Sequence, residues 1–332
     1  MAGRRTNVAL AVLLAIALAT GVIAFAIGTG WVRPVLVLHG LAALAIVLLV
    51  PWKSVIARRG VRRKRRGSVL STLLAVLVVV ALVSGFGHSV FDVDAVGPLA
   101  IMQIHVTAAI GALVLGIAHV WQRPQRIRSS DLNRRNFLRT ASLAAAAAIG
   151  YLAIEGTARS IGLPGASRRF TGSHERGSLN PAAMPVTSWI NDRPPALGTV
   201  RALTVTTPEA TSEWAVEELR AFDDTVTATL DCTGGWHSTQ EWSGVRLGRL
   251  IDGPGSGVRV VSATGYERRF SMGDVDDLLL ATHVGGEALS VGHGAPLRLV
   301  APGRRGFWWV KWVEAIIIDD RPPWWQPPFP LT

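Results

Sequence analysis

The stretch Leu230-Asp-Cys-Thr-Gly-Gly-Trp236 contains the only cysteine of the 332-residue chain, Cys232, between a strand-like segment and a pair of glycines. A single cysteine excludes an internal disulfide and any zinc site built from several cysteines. A thiolate that does chemistry here acts as a lone nucleophile, or as the one protein ligand of a metal that another group also holds. The alternative is a buried small hydrophobic residue, which is what most free cysteines are.

Several motifs surround or follow this cysteine in order along the second half of the chain. They are Trp-Ser-Gly-Val-Arg-Leu at 242–247, Gly265-Tyr266, His293-Gly-Ala-Pro-Leu-Arg298-Leu-Val-Ala-Pro-Gly303, and Phe307-Trp-Trp-Val-Lys311-Trp312. Together they resemble the sulfite oxidase family of molybdopterin enzymes, over about residues 170 to 320. The resemblance implies an α+β fold of the sulfite oxidase type and a molybdopterin cofactor.

The resemblance also assigns residues to the cofactor. It makes Cys232 the thiolate ligand of molybdenum, whose other sulfur ligands come from the pterin. It places His293, Arg298 and Lys311 at positions that bind the pterin and its phosphate in this family. A guanidinium fork and a compact ammonium both suit a phosphate. Taken one at a time, the three residues also fit a surface histidine, a strand-edge arginine and a solvated lysine.

A shorter match lies upstream, at Phe170-Thr-Gly-Ser-His174. This stretch resembles the first cofactor-contacting segment of the family. The resemblance therefore adds Phe170, Ser173 and His174 to the residues expected to bind the cofactor.

The segment after the cysteine departs from the family pattern. Sulfite oxidases carry an arginine pair there to hold their anionic substrate, whereas this chain has Trp236 and His237. Sulfite is therefore not implied, and a sulfoxide or a sulfite-like compound is the expected kind of substrate. We assign His237 and Arg304 to catalysis beside Cys232, and expect Arg304 and Arg305 to supply positive charge from their loop. The alternatives are core packing for Trp236 and a solvated turn around Arg304.

Secondary structure in the second half is predicted as short strands with few helices, which is an α+β pattern. The predicted strands are Ala202–Thr206, Thr225–Leu230, Val258–Ser262, Leu297–Val300 and Ala315–Ile318. The predicted helices are Val216–Phe222 and Asp274–Ala281.

The first half has a different chemistry. The chain carries a net charge of +11, of which residues 1–158 contribute +13 and residues 159–332 contribute −2. Because the basic excess belongs to a hydrophobic half, membrane topology explains it, and nucleic acid is excluded as a partner.

Long apolar runs in this half approach the roughly 20 residues that span a bilayer as a helix. Four are predicted to be transmembrane helices, and a fifth, alanine-rich run is weaker. They are Val8–Ile27, Val35–Val50, Val69–Phe86, Leu99–Val120 and Phe137–Ala158. We therefore predict an all-α transmembrane bundle of four to five helices, with the lipid bilayer as a partner.

Domain boundaries follow from these shifts in composition. The predicted order is a four-helix membrane domain (1–122), a basic loop with the fifth helix (123–158), a linker that begins the exported domain (159–195), and a catalytic domain (196–332).

Basic residues decide the predicted orientation, because cytoplasmic loops beside membrane helices are rich in Lys and Arg. The runs Arg58–Arg66 and Arg123–Arg139 fall on one side with the amino terminus, which is therefore inside. A fifth span then puts the second half outside the cell membrane. Arg134-Arg135-Asn-Phe-Leu-Arg139 resembles a twin-arginine export signal, and an ordinary positive membrane anchor is the alternative.

Four histidines lie in the membrane half, where ionisable residues are costly. His39 and His105 are each about 7 to 8 residues below the outer helix ends, so both lie roughly 11 Å deep. A shared depth on two helices suits the two axial ligands of a b-type haem. The alternative is a pair of hydrogen-bonded side chains that hold helices together. His88 lies near the outer surface, where a haem propionate or water is its expected partner, and His119 lies near the inner face.

These observations predict a membrane-anchored molybdopterin oxidoreductase that acts on a small-molecule substrate outside the membrane. Haem b would exchange its electrons with the quinone pool or another membrane partner. No Cys-x-x-Cys-His occurs, so covalent haem is excluded. The alternative is a cofactor-free binding or assembly module on an inert anchor.

Overall fold

The computed structural model of the protein describes residues 2–62, 68–122, 124, 133–188, 192–196, 198–251, 253–327 and 329. The chain divides into two compact units. One contains residues 1–25 and 30–174, and the other contains residues 26–29 and 175–332. The first unit thus extends past residue 158, where the sequence suggested that the helical segment ends.

The first unit is helical, as predicted. Its elements are α1 (Ala2–Ala26), a 3-10 turn (Gly30–Val32), α2 (Arg33–Arg62), α3 (Ser68–Phe91), the short strands β1 (Ala95–Val96) and β2 (Leu99–Ala100), α4 (Ile101–Gln122), α5 (Arg134–Ser160) and a 3-10 turn (Pro164–Ser167). A short strand β3 (His174–Glu175) lies at the boundary between the units.

Within the described residues, all five long helices are long and apolar enough to cross a membrane, including the alanine-rich fifth one. Their lengths and composition suggest a membrane-embedded amino-terminal region. Most of the basic residues that set the predicted orientation, at 63–66 and at 123, 126 and 128, lie outside the described residues.

The helices of this unit pack in pairs, α3 against α4 and α2 against α5. Glycines permit the close approach. A side chain at Gly111 on α4 would come within 2.9 Å of Leu77 on α3, and one at Gly40 on α2 within 2.8 Å of Tyr151 on α5. Small residues at such crossings let apolar helices approach closely. In a bilayer this close packing replaces the hydrophobic effect as the force that associates helices, because lipid is as apolar as the helix surfaces.

The second unit is built mainly from short strands. Its elements are β4 (Ala202–Thr206), β5 (Thr211–Ala215), α6 (Val216–Arg220), β6 (Asp224–Asp231), β7 (Trp236–Arg246), β8 (Gly257–Ser262), β9 (Glu267–Ser271), β10 (Leu279–Val284), β11 (Glu287–Ala288), β12 (Arg298–Val300) and β13 (Val313–Asp319).

These strands form two sheets. In one, β7 pairs with both β6 and β10, and β10 pairs with β12, all antiparallel. In the other, β13 lies between β4, which is parallel to it, and antiparallel β8. Leu280, Leu299 and Ile316 are fully buried in one continuous core that both sheets line. The hairpin of β6 and β7 carries Cys232 at its tip.

The five predicted strands are present, within one or two residues at each end. The predicted helix Asp274–Ala281 is wrong. Its first half belongs to a 3-10 turn (Met272–Asp277), and its second half opens β10. Leu279–Ala281 are completely buried and pair on both sides, with β7 and with β12. A run that is apolar all round fits a strand covered on both faces as well as a helix, and only the neighbouring strands decide between the two.

Candidate active site

Cys232 lies in the tight turn between β6 and β7. Its N–H donates to the carbonyl of Trp236 at 2.8 Å, and the N–H of Gly235 donates to the carbonyl of Cys232 at 3.2 Å. Gly235 has φ +96°, a conformation that favours glycine. The glycine pair of the sequence therefore closes the turn that presents the sulfur.

A buried ion pair fastens this turn to a second loop. Arg305 Nη1 lies 2.5 Å from Asp231 Oδ1, and Arg305 Nη2 donates to the carbonyl of Cys232 at 3.2 Å. Gly306 allows the approach, since a side chain there would come within 3.1 Å of the Cα of Cys232. The position of the sulfur thus depends on two segments that are 73 residues apart in sequence.

Cys232 opens onto a small cleft of about 90 Å³ in the second unit. Polar, charged and aromatic side chains from well-separated segments line the cleft. The lining residues are Pro185, Thr187, Ser188, Asp192, Leu230, Cys232, Thr233, Trp236, Tyr266, His293, Arg298, Gly306, Phe307, Trp309 and Lys311.

Two cations are buried in this cleft, Arg298 at 3% exposed and Lys311 at 8%. They are neighbours on an antiparallel bridge, and Gly294 beside them leaves only 3.2 Å for any side chain of its own. Their hydrogen bonds go to backbone carbonyls: Arg298 to His293, and Lys311 to Thr187 and Gly292. Among the described residues neither cation forms an ion pair with a carboxylate.

This burial changes the acidity of both groups. Burial lowers the pKa of Arg298 to about 10. Burial, together with the Arg298 charge, lowers the pKa of Lys311 to about 7. Asp192 lines the same cleft, and its charge acts to raise the pKa of Lys311, but among the described residues it forms no ion pair with either cation. Two buried cations without a paired carboxylate are costly by themselves and favour an anionic ligand.

Burial also changes the acidity of the cysteine thiol in the same cleft. Burial raises the pKa of the Cys232 thiol, while the N–H of Gly234 and the Arg305 charge act in the opposite direction. The Gly234 N–H lies 3.3 Å from Sγ. A bound cation would shift this balance to the thiolate, which is the form that ligates metals.

The residues present fit a molybdopterin with its molybdenum. Cys232 supplies one soft sulfur ligand, and Arg298 and Lys311 supply positive charge for an anionic group. Nε of Arg298 is buried without a hydrogen-bond partner among the described residues. A buried donor of this kind normally has a partner, so a ligand in the cleft accounts for it.

His293 lines the same cleft, but both of its ring nitrogens are engaged. Nε2 lies 3.1 Å from the carbonyl of Met184 and Nδ1 lies 3.0 Å from Oγ of Ser290. A carbonyl only accepts, so Nε2 carries the hydrogen and the ring is held in one tautomer. Burial lowers the pKa of His293, which favours the neutral ring.

The other residues expected to act in catalysis lie apart from the cleft lining. His237 follows Trp236 along β7, and successive side chains of a strand point to opposite faces. Trp236 therefore faces the cleft, where its Nε1 donates to Thr187 at 3.2 Å. Arg304 is exposed and pairs with Asp274 at 2.8 Å. The roles of His237 and Arg304 in catalysis stay predictions.

The upstream stretch expected to bind cofactor belongs to the first unit. Arg169 stacks over the ring of Phe170 at 4.5 Å, and Ser173 is buried. His174 Nε2 lies 2.9 Å from the carbonyl of His88. Their contact with a cofactor also stays a prediction.

From the sequence, both Arg304 and Arg305 are expected to supply positive charge and only Arg304 is assigned to catalysis, although Arg305 is the buried member of the pair. Adjacent arginines in a loop give no signal about which one turns inward. Thr187 and Trp309 were missed as well, because each reaches the cleft only through the tertiary fold.

The histidines of the first unit form a second arrangement of interest. The rings of His39 on α2 and His105 on α4 have centres 6.1 Å apart. Nδ1 of His39 lies 2.9 Å from the carbonyl of Ala17, and Nδ1 of His105 lies 2.9 Å from that of Ala81. Each ring therefore carries its hydrogen on Nδ1, and Nε2 keeps a lone pair.

Comparison with known proteins bears on the second unit. Residues 201–325 match the family model of the oxidoreductase molybdopterin binding domain. The match covers fewer than half of the residues and contains the Cys232 turn, Arg298 and Lys311. It supports a molybdenum-dependent redox function for this molybdopterin-binding region.

Curated relatives are similar over short segments only. The chain is 42% identical over 55 residues to the NADH nitrate reductase of Spinacia oleracea, covering 17% of this chain and 6% of that protein. It is 52% identical over 44 residues to the NADPH nitrate reductase of Mycosarcoma maydis, covering 13% and 4%. Among solved structures, the sulfane dehydrogenase SoxCD of Paracoccus pantotrophus matches with a TM-score of 0.36 and 30% identity, covering 39% of this chain and 40% of that one. The chain thus spans a small part of the relatives that it matches.

Loss of the buried ion pair is expected to destabilise the molybdopterin-binding region. Arg305→Met leaves Asp231 buried without its partner, at a cost of about 3–5 kcal/mol in the free energy of unfolding. Arg304→Met is the matched control, because its pair with Asp274 is exposed and such pairs contribute only about 0.2–1 kcal/mol. Urea unfolding of the full chain in detergent, followed by tryptophan fluorescence, measures both. Equal effects of the two substitutions would contradict the role of Arg305.

The cofactor-free protein is expected to become more stable as the pH rises from about 7 to about 10.4. In this window the unfolded Lys311 binds a proton that the folded one has released, so the free energy of unfolding increases with pH. Lys311→Met removes this contribution and flattens the slope, whereas Lys53→Met, outside the cleft, leaves it unchanged. Unfolding midpoints across the pH range measure the slope. An identical slope in parent and Lys311→Met would show that the lysine is not titrating as described.

Proposed function

We propose that the protein is a membrane-anchored, molybdopterin-dependent oxidoreductase that transfers an oxygen atom to or from a small substrate outside the membrane. One observation carries the proposal. The only thiol of the chain opens onto a cleft in which Arg298 and Lys311 are buried without carboxylate partners among the described residues. A sulfur ligand beside two buried cations that form no ion pair with a described carboxylate suits an anionic metal cofactor better than a neutral ligand.

Each residue of the cleft has a separate role in this proposal. Cys232 ligates molybdenum, and the Gly234 N–H and Arg305 stabilise its thiolate. Arg298 and Lys311 hold the phosphate and the pterin. When bound, the cofactor supplies oxygen-atom transfer coupled to two electrons. Lys311, with a pKa near 7 before an anion binds, can hold or release a proton at Nζ.

The substrate class that we favour is a sulfoxide or a related sulfite-like compound. Trp236 stands beside Cys232 in place of a substrate-binding arginine, and Trp309 also lines the cleft. Aromatic surfaces of this kind suit a neutral, partly apolar substrate. Reduction of a sulfoxide takes up two electrons and two protons and yields a sulfide and water, and the reverse reaction releases them.

We further propose that His39 and His105 are the axial ligands of a b-type haem. Two facts support this. Both rings keep their Nε2 lone pairs, and ring centres 6.1 Å apart leave room for one metal with two bonds of about 2 Å. Glycines lie beside both rings, since a side chain at Gly21 would come within 3.3 Å of His39 and one at Gly85 within 2.9 Å of His105.

The surroundings of the two histidines repeat along the chain. His39 contacts Ala17 and Thr20 of α1, and His105 contacts Ala81 and Ser84 of α3. In both helices the glycine directly follows the hydroxyl residue. The contacts of His39 with α1 are therefore equivalent to those of His105 with α3, and the two residues would be held as a matched pair of ligands if a haem binds.

The membrane half then relays electrons. Oxygen-atom transfer moves two electrons and haem moves one at a time, so the haem would exchange single electrons with the quinone pool or another membrane protein. The positive-inside distribution and the twin-arginine-like stretch at Arg134 support an outward-facing catalytic region. Export of a folded, cofactor-loaded region explains why such a signal would precede it.

Cys232→Ser is expected to abolish oxidoreductase activity and to remove or weaken bound molybdenum. The full-length protein is purified in detergent from a host that makes the pterin, and molybdenum per chain is measured by elemental analysis. Sulfoxide reduction with a reduced viologen dye gives the activity. His283→Ala, outside the cleft lining, is the control and keeps both properties.

Two outcomes would contradict this proposal. Retained molybdenum and activity in Cys232→Ser would remove Cys232 as the ligand. A parent protein without molybdenum from a competent host would favour a cofactor-free binding or assembly module.

His39→Ala or His105→Ala is expected to abolish the absorption spectrum of a reduced b-type haem, because either loss removes one axial ligand. His283→Ala again serves as the control. The reduced-minus-oxidised spectrum and iron per chain measure the result. An unchanged spectrum in both alanine variants would show that the two residues hold helices together without binding haem.

A further inference from the structure

A third cluster of ligand-type side chains lies at the end of α3, apart from the histidine pair of the proposed haem. It consists of His88, Asp92 and His174, all in the first unit, and one ligand atom from each lies within 4.8 Å of the others. The rings of His88 and His174 have centres 4.9 Å apart. Two imidazoles and a carboxylate form a common ligand set for divalent transition metals.

The end of α3 fixes two of the three residues. Asp92 adopts φ +55°, and its N–H donates to the carbonyl of His88 at 3.1 Å. A left-handed residue just past a helix ends the helix and turns the chain back over its last turn. Aspartate tolerates this conformation better than most residues do. The backbone hydrogen bond from Asp92 to His88 keeps these two residues, four positions apart, beside each other at the helix end.

The segment after α5 brings the third residue to the same place. Gly165 packs so closely on α3 that a side chain there would lie 2.3 Å from the carbonyl of Ser89. Arg168 forms an ion pair with Glu155 of α5 and also donates to the carbonyl of Ser89 at 3.4 Å. These contacts hold the chain that leads to His174 against the last turn of α3.

The proton positions leave His174 with a lone pair toward Asp92. Nε2 of His174 lies 2.9 Å from the carbonyl of His88, which only accepts, so Nε2 carries the hydrogen. Nδ1 of the neutral ring is then a lone pair that faces Asp92 Oδ1 at 3.5 Å. Two lone pairs at this distance repel unless a cation or a second proton lies between them. Ligands of one tetrahedral zinc ion, with bonds of 2.0–2.2 Å, are roughly 3.4 Å apart.

The environment of His88 distinguishes a bound cation from a second proton on His174. Its side chain is buried, with the residue only 6% exposed, and Nδ1 has no hydrogen-bond partner among the described residues. An imidazolium at His174 paired with Asp92 would account for the 3.5 Å contact but would leave this nitrogen unsatisfied. A metal ion accounts for both, because it takes one lone pair from each of the three residues.

We propose that His88, Asp92 and His174 bind one divalent transition-metal ion, for which Zn²⁺ is the natural probe. The three ligands leave a fourth position for water. Small side-chain rotations close the 4.8 Å spread to the separation that metal bonds require. The ion ties His88 at the end of α3 to a residue 86 positions later, at the last position of the first unit.

The test uses the full-length protein, purified in detergent without a histidine tag, stripped with a chelator and titrated with Zn²⁺ by calorimetry. The parent is expected to bind one more zinc per chain than Asp92→Asn, or to bind it about 100-fold more tightly. Asp92→Asn keeps the size of the side chain and leaves His39, His105 and His119 in place, so the difference isolates this site. His283→Gln is the control for a histidine elsewhere and binds like the parent.

A second measurement guards against a variant that fails to fold. Co²⁺ added to the parent protein is expected to produce the visible absorption of a low-symmetry nitrogen and oxygen site, and Zn²⁺ is expected to remove it. Zinc also raises the unfolding midpoint of the parent but not of His174→Gln.

Three results would overturn the proposal. These are equal zinc binding by the parent and Asp92→Asn, no cobalt absorption in the folded parent, or stability that depends on pH near the histidine pKa but not on zinc. The last result would identify a plain His174–Asp92 ion pair.

Discussion

The buried ion pair between Asp231 and Arg305 is the contact on which the cysteine site depends. It joins the end of β6 to the loop before Trp309, and the same guanidinium also holds the carbonyl of Cys232. A buried pair of this kind contributes little net stability compared with apolar packing, but breaking it leaves an unpaired charge in the core. Its role here is positional, because it sets where the only thiol of the chain opens onto the cleft.

Positive charge determines what this cleft accepts. Arg298 and Lys311 make their hydrogen bonds to carbonyl groups, which satisfy donors without neutralising charge. The lowered pKa values of both groups express that imbalance. An anion in the cleft would relieve it, so the molybdopterin-binding region gains stability from the ligand that it binds.

In the helical unit, backbone carbonyl groups accept hydrogen bonds from histidine rings. At His39, His105 and His174 a carbonyl fixes the hydrogen on one ring nitrogen and leaves a lone pair on the other. Histidines that bind metals are commonly oriented in this way by a hydrogen bond on the far nitrogen. The sequence position of such a histidine therefore says little about its role, and its hydrogen-bond partners in the fold say much more.

The sequence by itself determined the division of the chain into an apolar helical half and a mixed α+β half. Hydrophobic run length and short strands bounded by turn residues are local properties. The resemblance of its motifs to the sulfite oxidase family singled out Cys232, Arg298 and Lys311, which the fold brings to one cleft. The prediction failed at Asp274–Ala281, because its apolar second half, Leu278–Ala281, fits helix and strand equally well until its neighbours are known.

Only the tertiary structure decided which polar residues meet. It turned Arg305 inward and Arg304 outward, engaged both nitrogens of His293, placed His237 on the face of β7 opposite Trp236, and brought His174 to His88 and Asp92. Each of these outcomes depends on residues tens of positions apart, whose contact arises from packing and strand register. Local sequence carries no record of such contacts, which is why the metal-type cluster at the end of α3 emerged only from the folded chain.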